Sequence, residues 1–251
     1  MNFKELNQQR EAVIIGNVWD VASACIAEQA AYQAIGTSSA AIASTKGLAD
    51  GELVPFEALL IIVKDIVRHT SLPVTVDIEG GYSRNPVQIV KHIIALAEAG
   101  VKGVNIEDSV VDGERVLLDP YVFSELIGDI KKALNKGNIN MFINVRTDTF
   151  LLGVSDVMME TKQRIKLYEK SGADGIFVPC IEREQDISAI VTSTHLPLNV
   201  MCMPNFPSFD RLNDLGVKRI SMGNFVYDQM MSVFQQTLKS IIKDQSFRAV
   251  F

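Results

Sequence analysis

Three short segments, "AGVKGVNI" (99–106), "SGADGIFV" (171–178) and "LGVKRISM" (215–222), repeat one pattern: a glycine closes a helical stretch and an apolar run follows at once. Gly100, Gly172 and Gly216 suit the positive φ that ends a helix. Repeated helix–glycine–strand units mean a βα repeat, and no other feature limits the possible folds as strongly. Eight apolar runs extend the pattern along the chain, at 13–20, 34–40, 73–79, 103–109, 141–148, 175–180, 196–201 and 219–224. Their hydrophobicity is continuous rather than alternating, as parallel strands covered on both faces require.

Helix signals fall between them. Pro55 opens a stretch with Phe56, Leu59, Leu60, Val63 and Val67 on one face. Asn85-Pro86 and Asp119-Pro120 each read as an N-cap followed by proline at the first helical position. Val90, Ile93, Ile94 and Ala97 then face inward in the first of these helices, and Phe123, Leu126, Ile127 and Ile130 in the second. The reading is an α/β protein, a single (β/α)8 TIM barrel over residues 1–251. A doubly wound open sheet is the alternative, weakened because no G-x-G-x-x-G follows the first strand. The amphipathic last segment (226–251) either packs under the barrel or is swapped to a neighbouring subunit.

With 251 residues, 47% of them hydrophobic, the chain can bury a full core. A net charge of −6 and the lack of any Lys/Arg-rich run argue against a nucleic-acid partner. No apolar run reaches the ~18 residues of a membrane span, and no signal-peptide core opens the chain. Three widely spaced cysteines, Cys25, Cys180 and Cys202, fit reduced thiols in a cytoplasmic protein.

In a parallel barrel, chemistry sits where the strands end. The second run ends in Thr37, Ser38 and Ser39, the third in Asp77 and Glu79, the fourth in Glu107 and Asp108, the fifth in Arg146 and Asp148. Asp77 and Glu79 are two apart and would share a face of a strand, with Glu107 joining from its neighbour. Three carboxylates so close repel one another unless a hard cation lies between them, and oxygen ligands suit Mg²⁺, with Mn²⁺ possible. Arg146 would offer a planar fork to a substrate carboxylate or phosphonate. Solvated loop carboxylates, or partners of an arginine, are the plainer reading of the same residues.

At these residues the chain resembles the isocitrate lyase/phosphoenolpyruvate mutase superfamily, and its small mutase-like members above all. "VTVDIEGGYS" is similar to the family's metal segment, "GVNIEDS" to its I-E-D-[QS], "NVRTDT" to its A-R-T-D-A, and "NVWDVASACIAEQAAYQAIGTSSAAIASTKGLADGE" to its opening. The resemblance covers about residues 10 to 225. It implies Mg²⁺ held, partly through water, by Asp77, Glu79 and Glu107, with Asp50 near the site. It implies that Ser39 and the Ala40 N–H receive a substrate oxygen and that Arg146 faces the substrate. It implies a homo-oligomer, dimer or tetramer, acting on a small 2-oxo acid through a pyruvate enolate. In the role set that follows, Arg146, Asp50 and Glu107 are catalytic, Ser39, Ala40, Trp19 and Arg146 bind substrate, and Asp77, Glu79 and Glu107 bind metal.

Departures from the family narrow the activity. The segment "SVVDGERVLLDP" (109–120) carries neither the Cys and His of the lyase gating loop nor the Asn or Thr of the phosphorus-transferring members. Arg115 is its one obvious charge to close over a substrate. Glu79 stands for the commoner Asp, "GLAD" for G-L-P-D, and Met203 for the Asn that binds a second carboxylate in lyases. Cleavage of an oxaloacetate-like acid, which needs no acid on that loop, is the leading reading. Phosphonopyruvate mutase or hydrolase chemistry and a non-catalytic 2-oxo acid binder stay open.

Other residues have plainer readings. Cys25 reads as core, and Cys180 and Cys202 as strand ends at the mouth without a paired His. His69 ends a helix; His92 and His195 show no metal spacing. Trp19 walls the pocket or packs in the core. Met158-Met159 and Met230-Met231 read as helix packing.

Overall fold

In a computed structural model, which describes residues 3–251, each of the eight runs contributes one strand to a closed parallel barrel. The strands are β1 (Val13–Val18), β2 (Ala34–Thr37), β3 (Val74–Asp77), β4 (Gly103–Glu107), β5 (Phe142–Arg146), β6 (Gly175–Val178), β7 (Leu198–Met201) and β8 (Arg219–Ser221). Ile14 of β1 pairs with Ile220 of β8 and Gly16 with Ile35 of β2, so the sheet has no edge and the open-sheet alternative is excluded. Most strands are shorter than the apolar runs because the last residues of each run leave the ladder and turn into loops; β7 is trimmed at its start instead, at Leu196-Pro197. No helix among the described residues is long and apolar enough to cross a membrane.

The helix signals are realised as read. Asn85 Oδ1 accepts from Val87 N at 2.9 Å, and Asp119 Oδ1 accepts from Tyr121 N at 2.9 Å, each with proline at the first helical turn. Gly100, Gly172 and Gly216 take φ of +100°, +93° and +89°. One stripe is rotated from its expected position. In the helix Pro86–Glu98 the buried residues are Ile89, His92, Ile93 and Leu96, while Val90, Ile94 and Ala97 flank them. That helix is apolar over a wide arc, so periodicity alone does not fix which edge meets the barrel. His92 is accommodated because its ring stacks on Phe56 at 3.8 Å and its Nδ1 pairs with Gly81 O at 3.0 Å.

The main apolar core lies between the barrel and its helices. Inside the barrel a polar belt crosses the axis. Asn144 Nδ2 donates to Asn105 Oδ1 (2.8 Å) and Asn199 Oδ1 (3.2 Å), which also accepts from Arg219 Nε at 3.1 Å. Asn199 Nδ2 donates in turn to Ser221 Oγ at 3.1 Å. Gly175 makes the span possible, since a Cβ there would lie 2.8 Å from Asn144 Oδ1. Buried Arg219 sits over the rings of Phe3 and Phe142 and donates to Asn7 Oδ1; burial pushes its guanidinium down to about 9.

A hairpin and the last long helix stand apart from the barrel wall. Residues Ser109–Asp112 and Glu114–Leu117 form an antiparallel hairpin over the mouth, turning at Gly113. The helix Phe225–Asp244 does not pack under the barrel; Tyr227 is its one buried residue.

Candidate active site

A cavity of about 300 Å³ opens at the C-terminal ends of the strands. Its wall changes character around the barrel. Thr37, Ser38, Ser39, Ala40 and Asp77 follow β2 and β3; Asp50 comes from the loop after the helix Ser39–Thr45. Arg146 ends β5, and Arg115 arrives from the hairpin. Phe177, Pro179 and Met201 form the apolar side at β6 and β7.

Asp77 ends its strand with Oδ2 3.3 Å from Ser39 Oγ and its backbone N donating to Thr37 Oγ1 at 3.0 Å. Burial raises its pKa, opposed by Arg146. Glu79 is not on the strand, so the two-residue alternation does not place it. Its φ is +49°, and this left-handed turn swings it behind the cavity wall. There Oε2 accepts from Glu52 N at 2.7 Å and Oε1 from Tyr82 OH at 3.0 Å. Burial, with Asp50 and Asp77 nearby, pushes Glu79 up to about 7.

Glu107 departs further from the expected trio. It pairs with Arg115 Nη1, and its Oε2 lies 3.1 Å from Arg146 Nη1. Burial pushes it up to about 8 against the pull of Arg146 and Arg115, with Asp148 and Asp77 adding to the rise. Arg146 is itself committed: Nε and Nη2 donate to Asp148 Oδ1 and Oδ2 at 2.6 and 3.2 Å. Its fork therefore holds Asp148, and toward the cavity it acts as a fixed positive charge. Burial works against that charge, but Glu107, Asp148 and Asp77 keep its pKa raised.

Among the described residues, no three Asp, Glu, His or Cys side chains form a cation cage by themselves. The donor set still fits a hard cation that keeps water ligands. Asp50 and Asp77 both line the cavity, Asp50 Oδ1 is buried without a hydrogen-bond partner, and the neighbouring carboxylates resist ionisation where they stand.

Other sequence candidates fall outside the cavity lining. Trp19 packs edge-on against Tyr227, ring centroids 4.9 Å apart, and belongs to the core. Cys25 is half-buried rather than core, its Sγ near His69 O. Cys180 and Cys202 end their strands beside the mouth but do not line it, and burial raises both thiols.

Sequence reasoning placed Asp148 at the mouth without a partner, and it missed the hairpin, Glu52, whose N–H supports Glu79, and Asn17, whose Oδ1 accepts from Met222 N and Gly223 N at 2.7 and 3.1 Å. Asp112-Gly113 after Val110-Val111 was the available hairpin signal. Asp108, also unassigned, is fully buried and accepts from Arg164 Nη1 (3.0 Å), Tyr168 OH (2.7 Å), Thr147 Oγ1 (2.7 Å) and Asp148 N (3.0 Å).

Comparison with known proteins agrees with this geometry. The family model for phosphoenolpyruvate phosphomutase matches residues 3–242. An uncharacterised protein of Mycobacterium tuberculosis (strain ATCC 25618 / H37Rv) is 33% identical over 227 residues, covering 90% of this chain and 83% of that one. An oxaloacetate decarboxylase of Pseudomonas putida KT2440 is 28% identical over 232 residues, covering 90% and 78%. A solved structure from Burkholderia cenocepacia J2315, provisionally assigned as a phosphonomutase, superposes with a TM-score of 0.89 at 33% identity, covering 94% of this chain and 97% of its own. The chain belongs to the phosphoenolpyruvate phosphomutase family.

Proposed function

We propose that the protein is a Mg²⁺-dependent lyase that breaks a carbon–carbon bond of a small 2-oxo acid of the oxaloacetate type. The observation that carries this reading is one small cavity in which two carboxylates, Asp50 and Asp77, face the same space as Ser39, Ala40 and Arg146. Decarboxylase relatives support the substrate class.

The chemistry asks little of the side chains. When a 2-oxo acid loses its far carboxylate as CO₂, the electron pair of the broken bond moves onto the 2-oxo oxygen as an enolate, which water later protonates. Asp50 and Asp77 would hold Mg²⁺, with Glu79 and Glu107 behind them through water. A cation so held would supply charge stabilisation at the enolate oxygen. Ser39 Oγ and the Ala40 N–H would donate to the substrate's oxygens, and Arg146 would fix the sign of the field near the bond that breaks. The apolar side at Phe177, Pro179 and Met201 limits water there. Among the described residues no His or Cys lines the cavity, which suits a step that needs no protein acid. The phosphorus reading keeps one support, the phosphonomutase assignment of the Burkholderia structure, and the hairpin offers it neither Asn nor Thr.

Incubation with oxaloacetate and Mg²⁺ is expected to release pyruvate faster than Mg²⁺ alone, and EDTA should abolish the difference. Unchanged oxaloacetate together with a moved ³¹P signal from phosphonopyruvate would replace this reading with the phosphorus one.

The partner of the C-terminal helix belongs to the same proposal. Phe225, Met230, Met231, Phe234, Leu238 and Ile242 stand exposed along it, and large exposed apolar patches mark interaction sites. A second copy of the chain is its proposed cover. Light scattering is expected to give a mass that is a multiple of 27.7 kDa, and the F234E/L238E variant should fall to that value. A wild-type monomer would overturn the point.

A further inference from the structure

We propose that Arg115 determines specificity: it reads a negative group at the far end of the substrate and so selects a four-carbon dicarboxylate over an acid with an uncharged end. The inference rests on the lyase reading for the position of the substrate's other end.

Barrel order places the candidate cation ligands at β2 and β3 and the apolar wall at β6 and β7. Between them, Arg146 and Arg115 are the cations lining the cavity among the described residues. Arg146 is immobilised, two of its nitrogens on buried Asp148 and the third against Glu107. Arg115 is held differently. All its contacts fall on Nη1 and Nη2: Glu107, Ser109 Oγ (2.9 Å) and Asp148 Oδ2 (3.3 Å) for Nη1, Asp50 Oδ2 (3.3 Å) for Nη2.

These contacts are a stand-in arrangement. Four carboxylates, Asp50, Asp77, Glu107 and Asp148, lie around two guanidiniums, so Arg115 neutralises charge that a divalent cation would take over at Asp50. A guanidinium relieved of part of that role has planar donors suited to a carboxylate. A methyl group at the same place would leave it facing an apolar end, which a site lined by a charged donor rejects. The cavity, about 300 Å³, limits the acid to a few carbons.

Arg115 also sits on the right element. The hairpin crosses the mouth and bears on the Asp50 loop, where a Cβ on Gly51 would lie 3.0 Å from Val111. Its root is anchored by Leu118 N donating to Asp108 O (2.8 Å) and Arg164 Nη1 to Leu118 O (3.0 Å). A short, rooted hairpin delivers Arg115 to a fixed place, as a selecting contact requires.

Titration calorimetry in saturating Mg²⁺ tests this with three probes that undergo no decarboxylation through an enolate. Oxalate reports the cation end alone; malate and 2-hydroxybutyrate differ only in a far carboxylate against a methyl. Wild type is expected to bind malate at least about tenfold tighter than 2-hydroxybutyrate, in line with one charged contact. R115M should erase that preference while holding oxalate within about threefold, and R115K should keep part of it. Persistence of the preference in R115M would overturn the assignment, as would an equal loss of oxalate and malate, or no preference in wild type. A wild-type preference without turnover of any 2-oxo acid would sink the lyase reading and leave the role of Arg115 standing.

Discussion

Asp77→Ala is expected to lower kcat/KM for oxaloacetate by about a thousandfold, the upper end of what removing one electrostatic group at a developing charge costs. Asp77 lines the cavity at the end of β3, so it can touch a cation directly. Asp50 supplies the second face but comes from a loop, and its Oδ2 already meets Arg115. Losing Asp77 therefore removes the rigid half of the cradle. Glu79→Gln offers the contrast. Its carboxylate is turned to Glu52 N and Tyr82 OH, away from the cavity, so a loss of about tenfold is expected, in the range of an outer support of a metal site. Pyruvate release coupled to NADH oxidation measures both, with circular dichroism to show that each variant folds. Equal rates for Asp77→Ala and wild type above the Mg²⁺ background would end the lyase reading.

Asp108→Ala should give the largest stability loss. The carboxylate is fully buried, and burial raises its pKa against Arg164, the Asp148 N–H and the hydroxyls of Tyr168 and Thr147. Truncation would leave the Arg164 guanidinium buried with only Glu160 as an acidic partner. Breaking a buried pair from one side costs about 3–5 kcal/mol. For a chain of this size that lowers the melting temperature by roughly 10 °C. Because Asp108 also accepts from Asp148 N, the loss should reach the site. The double variant D108A/R164M is expected to melt above D108A alone, since it strands no charge. Calorimetric melting of the three proteins checks this. A double variant no more stable than D108A would show that Arg164 does not depend on its partner.

Much of the barrel was legible because its signals are local. Helix-ending glycines, Asn-Pro and Asp-Pro caps, and continuous apolar strands act within a few residues, and each reappears in place. The meeting of strand ends was legible for the same reason, since it follows from parallel order alone. What stayed hidden depends on distant partners. Glu79 looked like a strand residue until the left-handed turn removed it from the ladder. Glu107 looked unpaired until Arg115, eight residues on, folded back on it through a hairpin. The Arg146 fork looked free because nothing in the sequence says that Asp148 accepts both its prongs. Trp19 and the rotated stripe of the helix Pro86–Glu98 show the same limit: an apolar face can be recognised before its neighbour is known.

The belt of amides across the barrel axis bears on how the strands find their stagger. Backbone ladders tolerate sliding, because every peptide group resembles the next. Asn105, Asn144 and Asn199 do not repeat along their strands, so a slipped alignment would separate Asn144 from both of its acceptors and Asn199 from Arg219. Each misaligned cylinder would thereby enclose orphaned amides and a guanidinium, a penalty that grows with every strand out of step. The belt thus favours the one stagger in which Asn105, Asn144, Asn199 and Arg219 meet across the axis.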